Sequence, residues 1–233
     1  MTFETTTTYA IGTISMIVGT LALLVGLRSR ASEHPWRYAA LVGVTGIAAV
    51  AYAAMTAEIG VVTVDGEQVF VPRYLDWLAT TPLLLLYIGL LAGASRRVLA
   101  AVVSLDAVVI ALGLVASLTA SGLRYVAFGA ASVAFLGVLY LIYRPMTRTA
   151  RERDGSDAAL FLKLRNVIGV LWLLYPVIWL AGPPGIGLMT VEMTAVIVVY
   201  LDILTKVVFG AIVLNDRGTF APASTPAVSG VDS

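Results

Sequence analysis

The sequence predicts an all-α membrane protein, a bundle of seven transmembrane helices with a small extracellular β-hairpin between the second and third. Three observations predict it. Of the 233 residues, 59% are hydrophobic and only 12% charged, whereas soluble domains are about half apolar and about a quarter charged. Seven apolar runs, at 9–27, 38–57, 74–93, 98–118, 123–143, 160–180 and 190–214, each approach or exceed the ~20 residues that cross a bilayer core. The second connection, "GVVTVDGEQVFVP", sets two Val-rich arms around Asp-Gly, a strong hairpin turn signal.

In chain order, the first run follows a Thr-rich start, "MTFETTTTYAIGT", which has no basic region and so predicts no cleavable signal. The second, "GVTGIAAVAYAA", carries small residues suited to close backbone approach in lipid. The hairpin takes 61–71. The third run contains Pro82, which removes one backbone hydrogen bond that Thr hydroxyls are expected to restore in part. The fourth to seventh runs alternate with short connections, so neighbours pack as antiparallel hairpins, and "GPPGIG" turns the chain between the last two. Residues 1–214 thus form the membrane domain and 215–233 a disordered cytoplasmic tail.

Orientation follows the Lys and Arg residues of the loops. Arg28, Arg30 and Arg37 lie in the first connection, Arg96 and Arg97 in the third, and Arg144, Arg148, Arg151, Arg153, Lys163 and Arg165 in or beside the fifth. Arg73 and Arg124 are nearly alone on the other side. The protein is therefore expected to be multi-pass in the cell membrane, with its N-terminus outside and its C-terminus inside. It has no Cys, which excludes disulfides, thiolate metal sites and Cys nucleophiles. A net charge of +1 gives no reason to expect nucleic acid, and no metal site or enzymatic turnover is expected. His34 reads as a solvated loop residue.

An ionisable residue inside a membrane is a functional hypothesis by default. Five qualify: Arg73, Asp76, Asp106, Asp202 and Lys206. In "YLDILTKVVFG", Asp202 and Lys206 share a helix face about 6 Å apart along the axis. Asp76 can face the same interior, with Arg73 one turn away. Three readings fit this pattern: a structural ion network, a transporter lined by charges, or a Lys206 amine that forms a Schiff base with an aldehyde. In the last case Asp76 and Asp202 would balance the buried cation. Trp172, Tyr175 and Trp179 recur on one face of the sixth helix, and Trp77 follows Asp76. Together they could wall a slot for a flat, elongated, apolar ligand.

Three segments, "RYLDWLATTPLLLL", "LWLLYPVIWLAGPPG" and "YLDILTKVVFG", in this order and with seven helices, resemble the microbial (type 1) rhodopsins. The resemblance covers nearly the whole chain except the tail. It implies all-trans retinal bound covalently to Lys206 as a protonated Schiff base, with Asp76 as counterion and proton acceptor, Asp202 as second carboxylate and Arg73 beside it. The retinal pocket would comprise Tyr52, Trp77, Thr80, Thr81, Val109, Gly113, Phe128, Trp172, Tyr175, Pro176, Trp179 and Thr205, with Tyr52 bonded near the counterions.

Within the family, outward proton pumps carry a carboxylate where this chain has Tyr87. A phenol, with reference pKa about 10, is a poor proton donor at neutral pH, so a long-lived signalling state is expected. An interfacial aromatic is the alternative reading of Tyr87. Pro184 and Thr194 occupy the positions of the pumps' extracellular acidic pair, with Glu192 read as a helix-end charge. Asp76 argues against a halide pump. The branch most resembled is sensory rhodopsin II (phoborhodopsin), where the Tyr175–Thr205 pair would relay the signal. Thr190 and Tyr200 would contact a two-helix methyl-accepting transducer that drives phototaxis. Asp106, read as a structural carboxyl, departs from some members of that branch and keeps a middle-rhodopsin assignment open. A weak outward proton pump is the alternative function, and homo-oligomerisation is left open.

Overall fold

The structure, a computed structural model, describes residues 2–30, 35–153 and 155–216. His34 and the tail from 217 onward lie outside the described residues. The elements are α1 (Phe3–Arg30), α2 (Pro35–Thr56), β1 (Val61–Val64), β2 (Glu67–Phe70), α3 (Val71–Leu91), α4 (Arg96–Leu118), α5 (Leu123–Arg151), α6 (Ser156–Ala181) and α7 (Val191–Asn215). All seven helices are long and apolar enough to cross a membrane. Sequential neighbours from α1 to α5 pack together, α3 also packs on α6, and α1 packs on α7 to close the bundle.

Several boundaries differ from the sequence expectation, some of them for a local reason. α1 starts six residues before Tyr9 because Thr2 caps it: its Oγ1 accepts from Thr5 N at 3.3 Å. Val71 opens α3 rather than ending the hairpin, since Pro72 suits a first helical turn. Asn215, assigned to the tail, is still helical. α5 runs on past Tyr143 through a π turn at Ile142–Met146. That wider turn accommodates Pro145, and Thr147 Oγ1 bonds Ile142 O at 2.8 Å. The arginines from 144 to 151 therefore sit on a helix, not in a loop.

The hairpin forms as expected. Val61 pairs with Phe70 and Val64 with Glu67, and Asp65 and Gly66 both take positive φ, 52° and 81°, which defines a type I′ turn. Arg124 stitches this end together: it pairs with Asp65 and donates to Thr119 O at 2.9 Å and Pro184 O at 3.3 Å.

Close helix approach comes from α1, not from the glycines of α2. A methyl at Gly43 would meet nothing within 4 Å, and one at Gly46 only the Thr20 methyl at 4.0 Å. In contrast, a Cβ at Gly12, Gly19 or Gly26 would stand 2.7 Å from Tyr52, 2.7 Å from Val207 and 2.5 Å from Leu214. These glycines recur every seven residues along the seam with α2 and α7. Gly19 sits against the residue following Lys206, so this seam also seats the site. Overpacking costs roughly 1–3 kcal/mol. Gly19→Val is expected to lower the melting temperature of the detergent-solubilised protein clearly, whereas Gly43→Ala leaves it within experimental error.

Candidate functional site

Lys206 lies inside a second π turn, Ile203–Val208, of a kind that recurs at functional sites. Its side chain is 2% exposed, and those of Asp76 and Asp202 are each 1% exposed. Nζ pairs with Asp76 Oδ2 and donates to Asp202 Oδ2 at 3.2 Å. α3 supplies Asp76 and α7 supplies the other two, so two helices meet through one buried charge cluster. The backbone around Asp76 is braced. Thr80 Oγ1 donates to Asp76 O at 2.8 Å, and Thr81 Oγ1 to Trp77 O at 2.7 Å. Neither hydroxyl reaches Leu78 O, the carbonyl that Pro82 deprives of its donor, so the expected repair of that gap by Thr is not what these side chains do.

The two carboxylates are partnered unequally. Asp202 accepts from Tyr52 Oη at 2.9 Å, from Tyr175 Oη at 2.5 Å and from Trp77 Nε1 at 3.3 Å, besides Lys206. Asp76 Oδ1 has no partner. Thr205 Oγ1 donates to Asp202 O at 3.5 Å, so Tyr175 and Thr205 both engage Asp202. Arg73 pairs with neither carboxylate among the described residues. Its Nη2 donates to Tyr9 Oη at 2.7 Å, its guanidinium stands 5.5 Å from the Phe70 ring centre, and its Nε has no partner.

A mostly apolar cavity opens from this cluster. Its wall includes Trp77, Thr81, Val109, Gly113, Phe128, Trp172, Tyr175, Pro176, Trp179, Thr205 and Lys206. Tyr52 and Thr80, expected in the wall, lie outside it; they hold Asp202 and the Asp76 backbone instead. Phe128 and Trp179 stack with centres 4.4 Å apart, and Trp77 and Tyr175 meet edge to face at 5.1 Å. Sequence reasoning missed Tyr74 and Ser117, which share a hydrogen bond of 2.6 Å while Trp179 Nε1 donates to Ser117 Oγ at 2.8 Å. The α4 spacing of Val109, Gly113 and Ser117, four apart, was the signal. Asp106 also borders the cavity, accepting from Thr81 Oγ1 at 2.5 Å. Pro184 and Thr194 border it toward the hairpin, and Thr194 Oγ1 is buried without a partner.

Tyr87 is 1% exposed, enclosed between helices with its hydroxyl unpartnered and its ring 5.9 Å from that of Phe209. It is not an interfacial aromatic. Thr190 caps α7, its Oγ1 accepting from Met193 N at 3.2 Å, and Tyr200 points outward at 62% exposure.

The family model for bacteriorhodopsin-like proteins matches residues 3–220. The chain belongs to this family. It is 42% identical to "Sensory rhodopsin-2" of Natronomonas pharaonis over 98% of the chain and 95% of that protein. It is also 42% identical to "Sensory rhodopsin-2" of Haloarcula vallismortis over 90% and 89%. Its fold superposes on the crystal structure of cyanorhodopsin from the cyanobacterium Calothrix with TM-score 0.90 and 28% identity, covering 94% of this chain and 97% of that one. Family membership implies a multi-pass membrane protein with a retinal chromophore. The residues present fit that group: an amine inside the bundle opens onto a cavity walled by aromatic rings, and two carboxylates stand ready to balance a cation. Removing one partner of a buried ion pair costs about 3–5 kcal/mol. Because Asp202 also holds Tyr52, Trp77 and Tyr175, Asp202→Ala is expected to destabilise the retinal-free protein more than Asp76→Ala, measured by thermal unfolding of the two variants side by side.

Proposed function

We propose that the chain is a light-sensing photoreceptor that carries all-trans retinal on Lys206 and signals phototaxis through a membrane transducer. The observation that carries this reading is Tyr87: among the described residues the fully buried carboxylates are Asp76, Asp106 and Asp202, and the half of the bundle around Tyr87 holds none. Its likeness to two proteins named Sensory rhodopsin-2 supports the same reading.

Retinal, when bound at Lys206 Nζ, supplies the absorption of visible light and the light-driven change of shape that loosens the proton on Nζ. The chain's residues do the rest. Asp76 is the acceptor: Oδ2 already touches Nζ, and Oδ1 is free of other donors. Asp202 is the fixed counterion, since three side-chain donors besides Lys206 occupy its oxygens. Arg73, held by Tyr9 on the hairpin side, supplies positive charge to the cluster without pairing directly. Trp77, Trp172, Tyr175, Pro176 and Trp179 confine the chromophore with Val109, Gly113 and Phe128, while Thr80 and Tyr52 act through Asp76 and Asp202. Tyr175 and Thr205 join α6 to α7 through Asp202 and form the relay. The outward face of α7, marked by Thr190 and Tyr200, takes the transducer. The hairpin end faces outside, so the arginines at the other end face the cytoplasm.

The carboxylates that act on Tyr87, Asp157 and Asp216, are partly exposed and each paired with a cation, Arg37 and Lys163, so the proton returns slowly to Nζ and the signalling state persists. Flash photolysis of the pigment tests this. Tyr87→Asp is expected to speed recovery of the visible band at least tenfold, about 1.4 kcal/mol of barrier. Unchanged recovery, or acidification of illuminated cells at the rate of a dedicated pump, would remove the basis for a sensor.

A further inference from the structure

At the end of the bundle opposite the hairpin, Arg37 of α2 and Asp157 of α6 form a fork-to-fork pair: Nη1 donates to Oδ1 at 2.9 Å and Nη2 to Oδ2 at 2.7 Å. Arg37, expected in a loop, is in fact inside the first turns of α2 and buried. Asp157 is the second residue of α6. The residue before that helix is Gly155, at φ 134°, which offers no side-chain cap, so Asp157 fastens its first turn to α2. A bidentate pair of this kind is pre-organised and directional.

From Trp172, beside the chromophore cavity, to Asp157 is 15 residues of α6, or about 22 Å. Leu84, Leu85, Ile88, Leu164, Ile168 and Phe209 fill this stretch. Tyr87 places an unpartnered hydroxyl within it. An apolar plug of this depth does not conduct protons. Water has to enter from the opposite end, and the pair holds α6 closed against α2 there.

We propose that Arg37–Asp157 is a latch that governs proton return: closed, it keeps water from the Tyr87 hydroxyl, and its opening admits the water through which Lys206 Nζ regains its proton. Arg37 and Asp157 are positioning residues, acting through the seating of α6. The kinetic consequence rests on the photoreceptor reading; the structural one does not.

The test uses the full chain in lipid nanodiscs, with Asp157→Asn, Arg37→Gln and the charge-conserving Asp157→Glu. Hydrogen–deuterium exchange in the dark reports the latch without light. Both neutral variants are expected to raise exchange about tenfold at 156–164 and 84–91, with Asp157→Glu near wild type. In flash photolysis they are expected to speed recovery several-fold while the earlier proton transfer to Asp76 keeps its rate. Wild-type exchange in both neutral variants would overturn the latch. So would a parallel change in both kinetic steps, which marks a general loss of packing. Raised exchange in a protein that forms no pigment would leave the latch standing and sink the photoreceptor reading instead.

Discussion

A buried ammonium is the constraint on which this structure depends. Lys206 cannot remain charged inside the bundle without partners: an isolated ion in a low-dielectric interior costs several kcal/mol even after relaxation. Asp76 and Asp202 meet that cost from two helices, and the surrounding architecture keeps them there. The π turn at Ile203–Val208 sets Lys206 and Asp202 on one side of α7. Gly19 lets α7 sit close to α1 beside it. Tyr52, Trp77 and Tyr175 bring α2, α3 and α6 to a single carboxylate. Asp202 is thus a hub for four helices, and Asp76, with an oxygen to spare, is the side that can change state.

This asymmetry divides the bundle. Toward the hairpin the interior is polar and tied down: Arg73 to Tyr9, Trp179 and Tyr74 to Ser117, Arg124 across three connections. Toward the opposite end it is apolar up to the Arg37–Asp157 pair. A proton leaving Lys206 finds a carboxylate at once; a proton coming back finds leucines, Phe209 and an unpartnered phenol. On the photoreceptor reading, this packing favours quick release and slow return, which is what a receptor with a lasting signal requires.

Much of this was legible in the sequence because lipid enforces simple rules. Apolar runs of bilayer length gave the seven helices, Asp-Gly gave the hairpin turn, and ionisable residues inside apolar runs stood out as Asp76, Asp202 and Lys206. Helix ends were less legible. Thr2 starts α1 six residues ahead of the apolar run as its N-cap. The fifth apolar run was ended at 143, whereas the helix continues past Pro145 by a π turn. Features built from contacts distant in sequence were hidden. Arg37 and Asp157 lie 120 residues apart; Arg37 was assigned to a loop, and nothing in the sequence tied it to Asp157. Ser117 is one small hydroxyl in an apolar helix until Tyr74 and Trp179 converge on it. Small residues recur on the helices, and only the neighbouring helices' side chains reveal that the crowded glycines Gly12, Gly19 and Gly26 are those of α1.

The central claim is that Lys206 carries the chromophore. The chain has only two lysines, Lys163 and Lys206, and the side chain of Lys163 is 63% exposed at a helix surface. Borohydride reduction of the illuminated pigment, followed by proteolysis and mass spectrometry, decides between them. The account predicts a retinyl mass increment on the peptide containing Lys206 and none on that containing Lys163. An increment confined to Lys163, or no covalent adduct on a protein that has taken up retinal and turned coloured, would contradict it.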